Sequence, residues 1–184
     1  GSFIGTELPL TITQMLWVNL IMDTFAAMAL SSLPPESEVM KDKPRKQTDF
    51  IINRGMAFGI FGVGLLFFAL MFGLLWYFER IAGVSAKELT IFFTIFVMLQ
   101  WWNLFNAKTL GSSHSAFRGF LSDKGLITVL AMILAGQWII VEFGGKMFRT
   151  VPLSFEDWTY IIAGTSVVMI AGELIRGIRR LAKR

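Results

Sequence analysis

Residues 15–30, MLWVNLIMDTFAAMAL, form an apolar run that contains an amide, Asn19, and a carboxylate, Asp23. With its flanking residues the run extends over about 8–30, and a helix that crosses a bilayer needs about 20 residues of this kind. A charged side chain near the bilayer centre costs about 2.5–3.5 kcal/mol on insertion scales, so Asp23 needs a partner, an aqueous cavity or a bound ion. The stretch therefore predicts a transmembrane helix with a polar site inside it.

Four further apolar segments follow and define the fold class. Hydrophobic residues make up 54% of the 184 residues, and the mean hydropathy is +0.61. A soluble domain of this length would not need so much apolar surface. We predict an all-α, polytopic transmembrane helix bundle with five spans, at about residues 8–30, 56–78, 89–105, 126–143 and 158–175.

The basic residues of the connecting segments predict the orientation. Five lie between the first two spans, three between the third and fourth, and five in the C-terminal tail, whereas the two other connections carry two each. Cytoplasmic segments are the ones enriched in Lys and Arg. We expect the N-terminus outside, the C-terminus in the cytoplasm, and a multi-pass protein of the cell membrane (inner or plasma membrane). Because these residues alternate with apolar blocks, the net charge of +4 favours the lipid bilayer over nucleic acid as a partner.

Composition excludes several kinds of catalytic site. The chain has no cysteine, which rules out a disulfide framework, a thiolate metal site and a catalytic thiol. It has neither a glycine-rich phosphate loop nor a Ser–His–Asp arrangement, so we expect no ATP hydrolysis by this chain alone. It opens on GSFIGTELPL, without an initiator Met or a signal-peptide pattern, and we expect a piece of a longer protein.

Asn19 and Asp23 form the strongest candidate metal site. Residues four apart project from one face of a helix, and carboxylate and amide oxygens suit hard cations such as Ca²⁺ or Mg²⁺. An Asp that only links two helices is the alternative. Ca²⁺ takes about six to eight oxygens, more than this span offers. Gln100 and Asn103 share a face of the third span, with Asn106 one turn on, and are minor candidates, although hydrogen bonds between helices are the commoner role of such amides.

Two other polar residues lie within the predicted spans, and we interpret both as structural. Gln137 is in the fourth span, where an amide can hydrogen-bond to a neighbouring helix. Glu173, near the inner end of the fifth span, can pair with Arg176 or Arg180 at helical spacing.

One long motif resembles a known family. Residues 10–50, LTITQMLWVNLIMDTFAAMALSSLPPESEVMKDKPRKQTDF, are similar to the sixth transmembrane helix and the following cytoplasmic loop of P-type Ca²⁺-transporting ATPases, especially the plasma-membrane type and its bacterial relatives. The run from Gln14 to Thr24 is its most specific part. Residues 97–108, VMLQWWNLFNAK, are similar to the eighth helix of that family. The resemblance covers essentially the whole chain as helices six to ten, although the last two spans match only in pattern.

The resemblance carries implications for single residues. Asn19 and Asp23 fall on sixth-helix positions that bind Ca²⁺ in the family, with Asp23 central. Met22 stands where the two-site pumps of the reticulum type have a ligating Thr, and Gln100 where those pumps have an acidic ligand. Both departures weaken one of the two sites, so the resemblance implies a single transported Ca²⁺.

The resemblance also implies partners within a larger pump. Residues 31–55 would be the cytoplasmic loop that couples to the phosphorylation domain; a solvated linker is the alternative. The charged residues that could form this docking surface are Glu36, Glu38, Lys41, Asp42 and Lys43. Mg²⁺ and ATP would be bound only by the full-length protein, whose other domains and helices are the expected partners. An isolated piece could also pair with a second copy of itself.

The sequence hypothesis is therefore the C-terminal transmembrane domain, residues 1–184, of an ATP-driven P-type cation pump, a translocase. Two alternatives stay open. One is a stand-alone membrane scaffold or channel subunit. The other is a P-type pump for Mn²⁺, Na⁺ or H⁺, because an Asp and an Asn do not by themselves select the ion.

Overall fold

The structure is a computed structural model that describes residues 10–33, 54–109 and 114–182. These residues contain five helices that are long and apolar enough to cross a membrane, and no strand. The five, called the first to fifth spans below, are Ile12–Ser31, Gly59–Ala82, Ala86–Lys108, Lys124–Phe143 and Phe155–Ile178. The prediction of an all-α bundle with five spans is confirmed. Most of the predicted coupling loop, residues 34–53, lies outside the described residues.

The first, second and fifth spans are each built from more than one helical segment. The first consists of an α-helix, Ile12–Leu16, a π-helical segment, Trp17–Met22, and a second α-helix, Asp23–Ser31. The remaining helices are Arg54–Tyr77, the π-helical Phe78–Ala82, Ala86–Lys108, the short 3₁₀-helix Phe120–Ser122, Lys124–Phe143, Gly145–Phe148, Phe155–Thr165 and Val167–Ala182.

Polar residues at the helix starts explain where three of the spans begin. Thr11, Ser85 and Ser154 each accept a hydrogen bond at a helix N-terminus and form a capping box with the residue three positions later. Such a box satisfies backbone N–H groups that have no partner within the helix. The second span ends at Gly83, whose φ of 86° lies in the region that favours glycine.

The third span lies at the centre of the bundle and packs against each of the other four. Its side chains Phe93 and Val97 are fully buried. The second span is the most peripheral, because it contacts the third and exposes large apolar side chains such as Phe61 and Leu65. Apolar side chains on the outside of a bundle are suited to lipid, which cannot hydrogen-bond to polar groups.

Candidate cation site

The first span is widened at the candidate site. Gln14, Val18 and Met22 are each at most 3% exposed and recur at intervals of four residues. An α-helix has 3.6 residues per turn, whereas the wider π-helical turn keeps positions four or more apart on one face. The backbone N–H of Asp23 accordingly donates to the carbonyl of Val18, five residues back. The span is thus continuous through the site.

Asn19 and Asp23 lie on the face of this turn that is next to the buried one. Asn19 is inside the π-helical segment and Asp23 directly follows it, and both side chains are exposed in the described part of the chain. The buried Val18 and Met22 precede them by one residue each, so the bundle holds one face and the polar residues occupy the next. π-Helical turns of this kind are often found at functional sites.

Asp23 also lines a cleft of about 760 Å³ between the first, second and third spans. The third span contributes three amides to its wall: Gln100, Asn103 and Asn106. Gly59 and Gly64 of the second span, which carry no side chain, form part of the opposite wall. The structure therefore brings Asp23 together with the two minor candidates of the third span. Asn19, one turn earlier, is not among the described residues that line this cleft.

Asn106 differs from the other two amides because its side chain is already engaged. Its Oδ1 accepts hydrogen bonds from Nη1 and Nη2 of Arg176, each at 3.1 Å, and its Nδ2 donates to the carbonyl of Val168 at 3.0 Å. Arg176 also pairs with Glu173 at 3.0 Å, as the sequence spacing predicts. We call Asn106, Glu173 and Arg176 the polar latch, since they join the third span to the fifth.

The latch also holds the segment that follows the third span. Glu173 Oε1 accepts a hydrogen bond from the backbone N–H of Ala116 at 2.7 Å and another from Ser115 Oγ at 3.1 Å. An amide oxygen that faces a guanidinium is a poor ligand for a second cation, because the two positive charges repel. Asn106 is therefore an assembly residue.

The remaining side chains offer part of a cation shell. Within the described residues no group of three or more His, Cys, Asp or Glu side chains could hold a metal. Asp23 supplies two oxygens at most, and Gln100 and Asn103 one each. Ca²⁺ takes about six to eight. A complete site needs further oxygens, and the side chains of Asn19 and Asp23 are both exposed.

Sequence reasoning missed two residues that pack together at the start of this turn, Trp17 and Gly136. Trp17 Nε1 donates to Gln137 Oε1 at 3.1 Å, and Trp17 lies against Gly136. Gln137 is structural, as the sequence predicts, and the structure shows what it holds. The available signal was the indole of Trp17, because an N–H inside a bilayer must find an acceptor.

Known proteins match this chain over most of its length. The family described as "Cation transporting ATPase, C-terminus" matches residues 7–178. Plasma membrane calcium-transporting ATPase 2 of Oreochromis mossambicus is 32% identical over 199 residues, which cover 98% of this chain and 18% of the relative. Plasma membrane calcium-transporting ATPase 3 of Homo sapiens is 34% identical over 189 residues, 97% of this chain and 16% of the relative.

A plant protein gives a similar result. The probable calcium-transporting ATPase 9, plasma membrane-type, of Oryza sativa subsp. japonica is 35% identical over 175 residues, which cover 92% of this chain and 17% of the relative. The chain thus spans between 16% and 18% of the length of these three proteins.

Proposed function

We propose that this chain, which belongs to the cation-transporting ATPase family as the C-terminal part of its members, supplies Ca²⁺ ligands to the membrane domain of an ATP-driven pump. The observation that carries the proposal is Asp23, a carboxylate in a membrane-spanning helix that lines a cleft with two amides. A charge at this depth is costly unless a cation or a polar partner compensates it. The calcium-transporting relatives support Ca²⁺ as the ion.

In this proposal Asp23 is the central ligand, because it carries the only negative charge among the candidates. Asn19 adds an amide oxygen from the same exposed side of the first span, while Gln100 and Asn103 contribute from the third span across the cleft. The missing oxygens come from parts of the pump outside this chain. Together these groups replace the hydration shell of the ion.

Transport follows from moving the ligands apart. The assembled site holds Ca²⁺ in a state open to the cytoplasm, and phosphorylation elsewhere in the pump separates the ligands and releases the ion outside. Residues 31–55 form the cytoplasmic loop that transmits this movement. Other parts of the pump bind ATP and Mg²⁺ and carry the phosphorylated residue, so this chain binds and positions the transported ion.

The charge distribution supports one orientation in a plasma membrane. The N-terminus lies outside, and the loop after the first span and the C-terminal tail lie in the cytoplasm, where the basic residues of these segments are favoured. The cleft then lies within the bilayer between three of the spans, and ions reach it only through the pump.

The test is Asp23→Asn in the complete pump. This change keeps the size of the side chain and removes its charge, so we expect no Ca²⁺-dependent phosphoenzyme formation from ATP. Glu156→Gln is a matched control, since Glu156 is an exposed carboxylate at the start of the fifth span and away from the cleft. Phosphoenzyme formation in Asp23→Asn with the same Ca²⁺ dependence as in the wild type would contradict the assignment of Asp23 as a ligand. Wild-type phosphorylation that needs Mn²⁺ or Na⁺ and ignores Ca²⁺ would contradict the choice of ion.

A further inference from the structure

We propose that Trp17, Gly136 and Gln137 form a clamp that fixes the widened turn of the first span and thereby sets the direction of Asn19 and Asp23. Trp17 is the first residue of the π-helical segment, and Gly136 and Gln137 are neighbours in the fourth span. Trp17 is a positioning residue in this account, because it acts on the ion through the turn it anchors. The inference rests on the proposed function, in which Asn19 and Asp23 bind Ca²⁺.

Close contact with a glycine is the first half of the clamp. A Cβ atom built on Gly136 would lie 2.3 Å from Cη2 of Trp17 and 2.9 Å from Cζ2. Both distances are too short for carbon atoms that are not bonded, so any larger residue at this position would displace the indole ring. Glycine therefore allows the first and fourth spans to approach at the level where the turn begins.

A hydrogen bond is the second half. Trp17 Nε1 donates to Gln137 Oε1 at 3.1 Å, and Gln137 is fully buried. The amide of Gln137 donates in turn to Thr94 Oγ1 at 3.4 Å, and that hydroxyl donates to the carbonyl of Thr90 at 2.8 Å. Since lipid offers no alternative partner, this chain of bonds ties the indole to the central third span.

A second anchor lies one turn before the clamp. Gln14 is 2% exposed, and its Nε2 donates to the carbonyl of Phe148 at 2.8 Å. The start of the first span is therefore fixed both to the fourth span and to the short helix that follows it. The contacts of Gln14 and Trp17 therefore fix the position from which the next turn of the helix starts.

The register of that turn decides where Asp23 points. Val18 and Met22 are buried against the hydrophobic core, and the π-helical hydrogen bond from Asp23 to Val18 maintains the spacing between them. If the segment relaxed to an α-helix behind a fixed Trp17, the residues after it would rotate by about 100°, the advance of one residue. Asp23 would leave its present side of the helix. Met22 would leave the hydrophobic core at the same time. A Trp17 fixed by the clamp and a Met22 buried in the core therefore hold the wide turn, and with it the ligands, together.

Two variants of the complete pump test the inference. Trp17→Phe keeps an aromatic ring and removes the donor, while Gly136→Ala displaces the ring. We expect each to raise the Ca²⁺ concentration for half-maximal phosphoenzyme formation by about fivefold, the effect of one neutral hydrogen bond, with the maximal level unchanged. Trp138→Phe is the control, because Trp138 is the next residue along the same helix and is 51% exposed. Its half-maximal concentration should equal that of the wild type.

The result that overturns the inference is an unshifted half-maximal concentration in Trp17→Phe. A lower maximal level without a shift in either variant would also overturn it, because the clamp would then serve folding alone. The wild type, measured in parallel, separates this inference from the proposed function. Wild-type phosphorylation that ignores Ca²⁺ overturns both, whereas a Ca²⁺-dependent wild type with unshifted variants overturns the inference only.

Discussion

Asn106 of the third span and Arg176 of the fifth are joined by two hydrogen bonds of 3.1 Å, from both Nη atoms of the guanidinium to one amide oxygen. Arg176 is only 6% exposed, so this pair is shielded from water. Hydrogen bonds that involve a charged group are the stronger ones in proteins. The pair fixes the two spans to each other beside the cleft and leaves the other two amides of the third span to face it.

The latch predicts that Gly172 cannot carry a side chain. A Cβ built on Gly172 would lie 2.0 Å from Asn106 Oδ1, and Asn106 cannot move away without losing its bonds to Arg176 and Val168. We expect Gly172→Ala to destabilise the pump by about 1–3 kcal/mol, as overpacking does. Thermal unfolding of the detergent-solubilised protein measures this.

Gly177 provides the matched control. It lies in the same helix, and among the described residues no atom beyond the adjacent backbone of that helix lies within 4 Å of a Cβ built there. Because alanine is a better helix former than glycine, Gly177→Ala should be neutral or stabilising by about 0.5–1 kcal/mol. Equal unfolding temperatures for Gly172→Ala and Gly177→Ala would show that the latch does not resist a side chain at Gly172.

The three amides of the third span should respond differently to truncation. Gln100→Ala and Asn103→Ala each remove one oxygen from the cleft, so we expect the half-maximal Ca²⁺ concentration for phosphorylation to rise roughly threefold to tenfold. Asn106→Ala removes a latch residue and should lower thermal stability without a comparable rise. The measurements are phosphorylation at varied Ca²⁺ and thermal unfolding. A larger Ca²⁺ shift in Asn106→Ala than in the other two would reverse the assigned roles.

The proposed orientation predicts which side of the membrane each connection faces. Single cysteines can be introduced into this cysteine-free chain, at Ser37 in the first connection and at the exposed Lys146 in the fourth, within a pump that has no other cysteine. A maleimide that cannot cross membranes should label Ser37→Cys only from the cytoplasmic side and Lys146→Cys only from outside. Labelling of Ser37→Cys from outside and of Lys146→Cys from the cytoplasmic side would contradict the proposed orientation.

The fold was largely predictable because the bilayer constrains it. A span needs about 20 apolar residues, and segments of that length are visible in the sequence. Asp23 could also be identified as a candidate site residue from the sequence, since a carboxylate in an apolar span needs a partner, a cavity or an ion. The pairing of Glu173 with Arg176 followed from their spacing of three residues on one helix.

Other features depend on contacts between helices and could not be predicted from local pattern. Nothing in the residues from Trp17 to Met22, which include neither glycine nor proline, marks a π-helical turn. Helical spacing predicted that Asn103 and Asn106 share a face of the third span. Asn106 has a structural role instead of a ligand role because Arg176 of the fifth span donates to it, and local sequence does not show this contact. The need for glycine at position 136 could not be predicted either, because it arises from the indole of Trp17 in another span, which packs against it.

Equilibrium binding of radioactive Ca²⁺ to the complete pump, measured for Asp23→Asn and the wild type, tests whether Asp23 is the central ligand. We expect one Ca²⁺ per phosphorylation site in the wild type and in Glu156→Gln, and no bound Ca²⁺ at the same concentrations in Asp23→Asn. Unchanged binding in Asp23→Asn would contradict the claim that this chain supplies the central ligand.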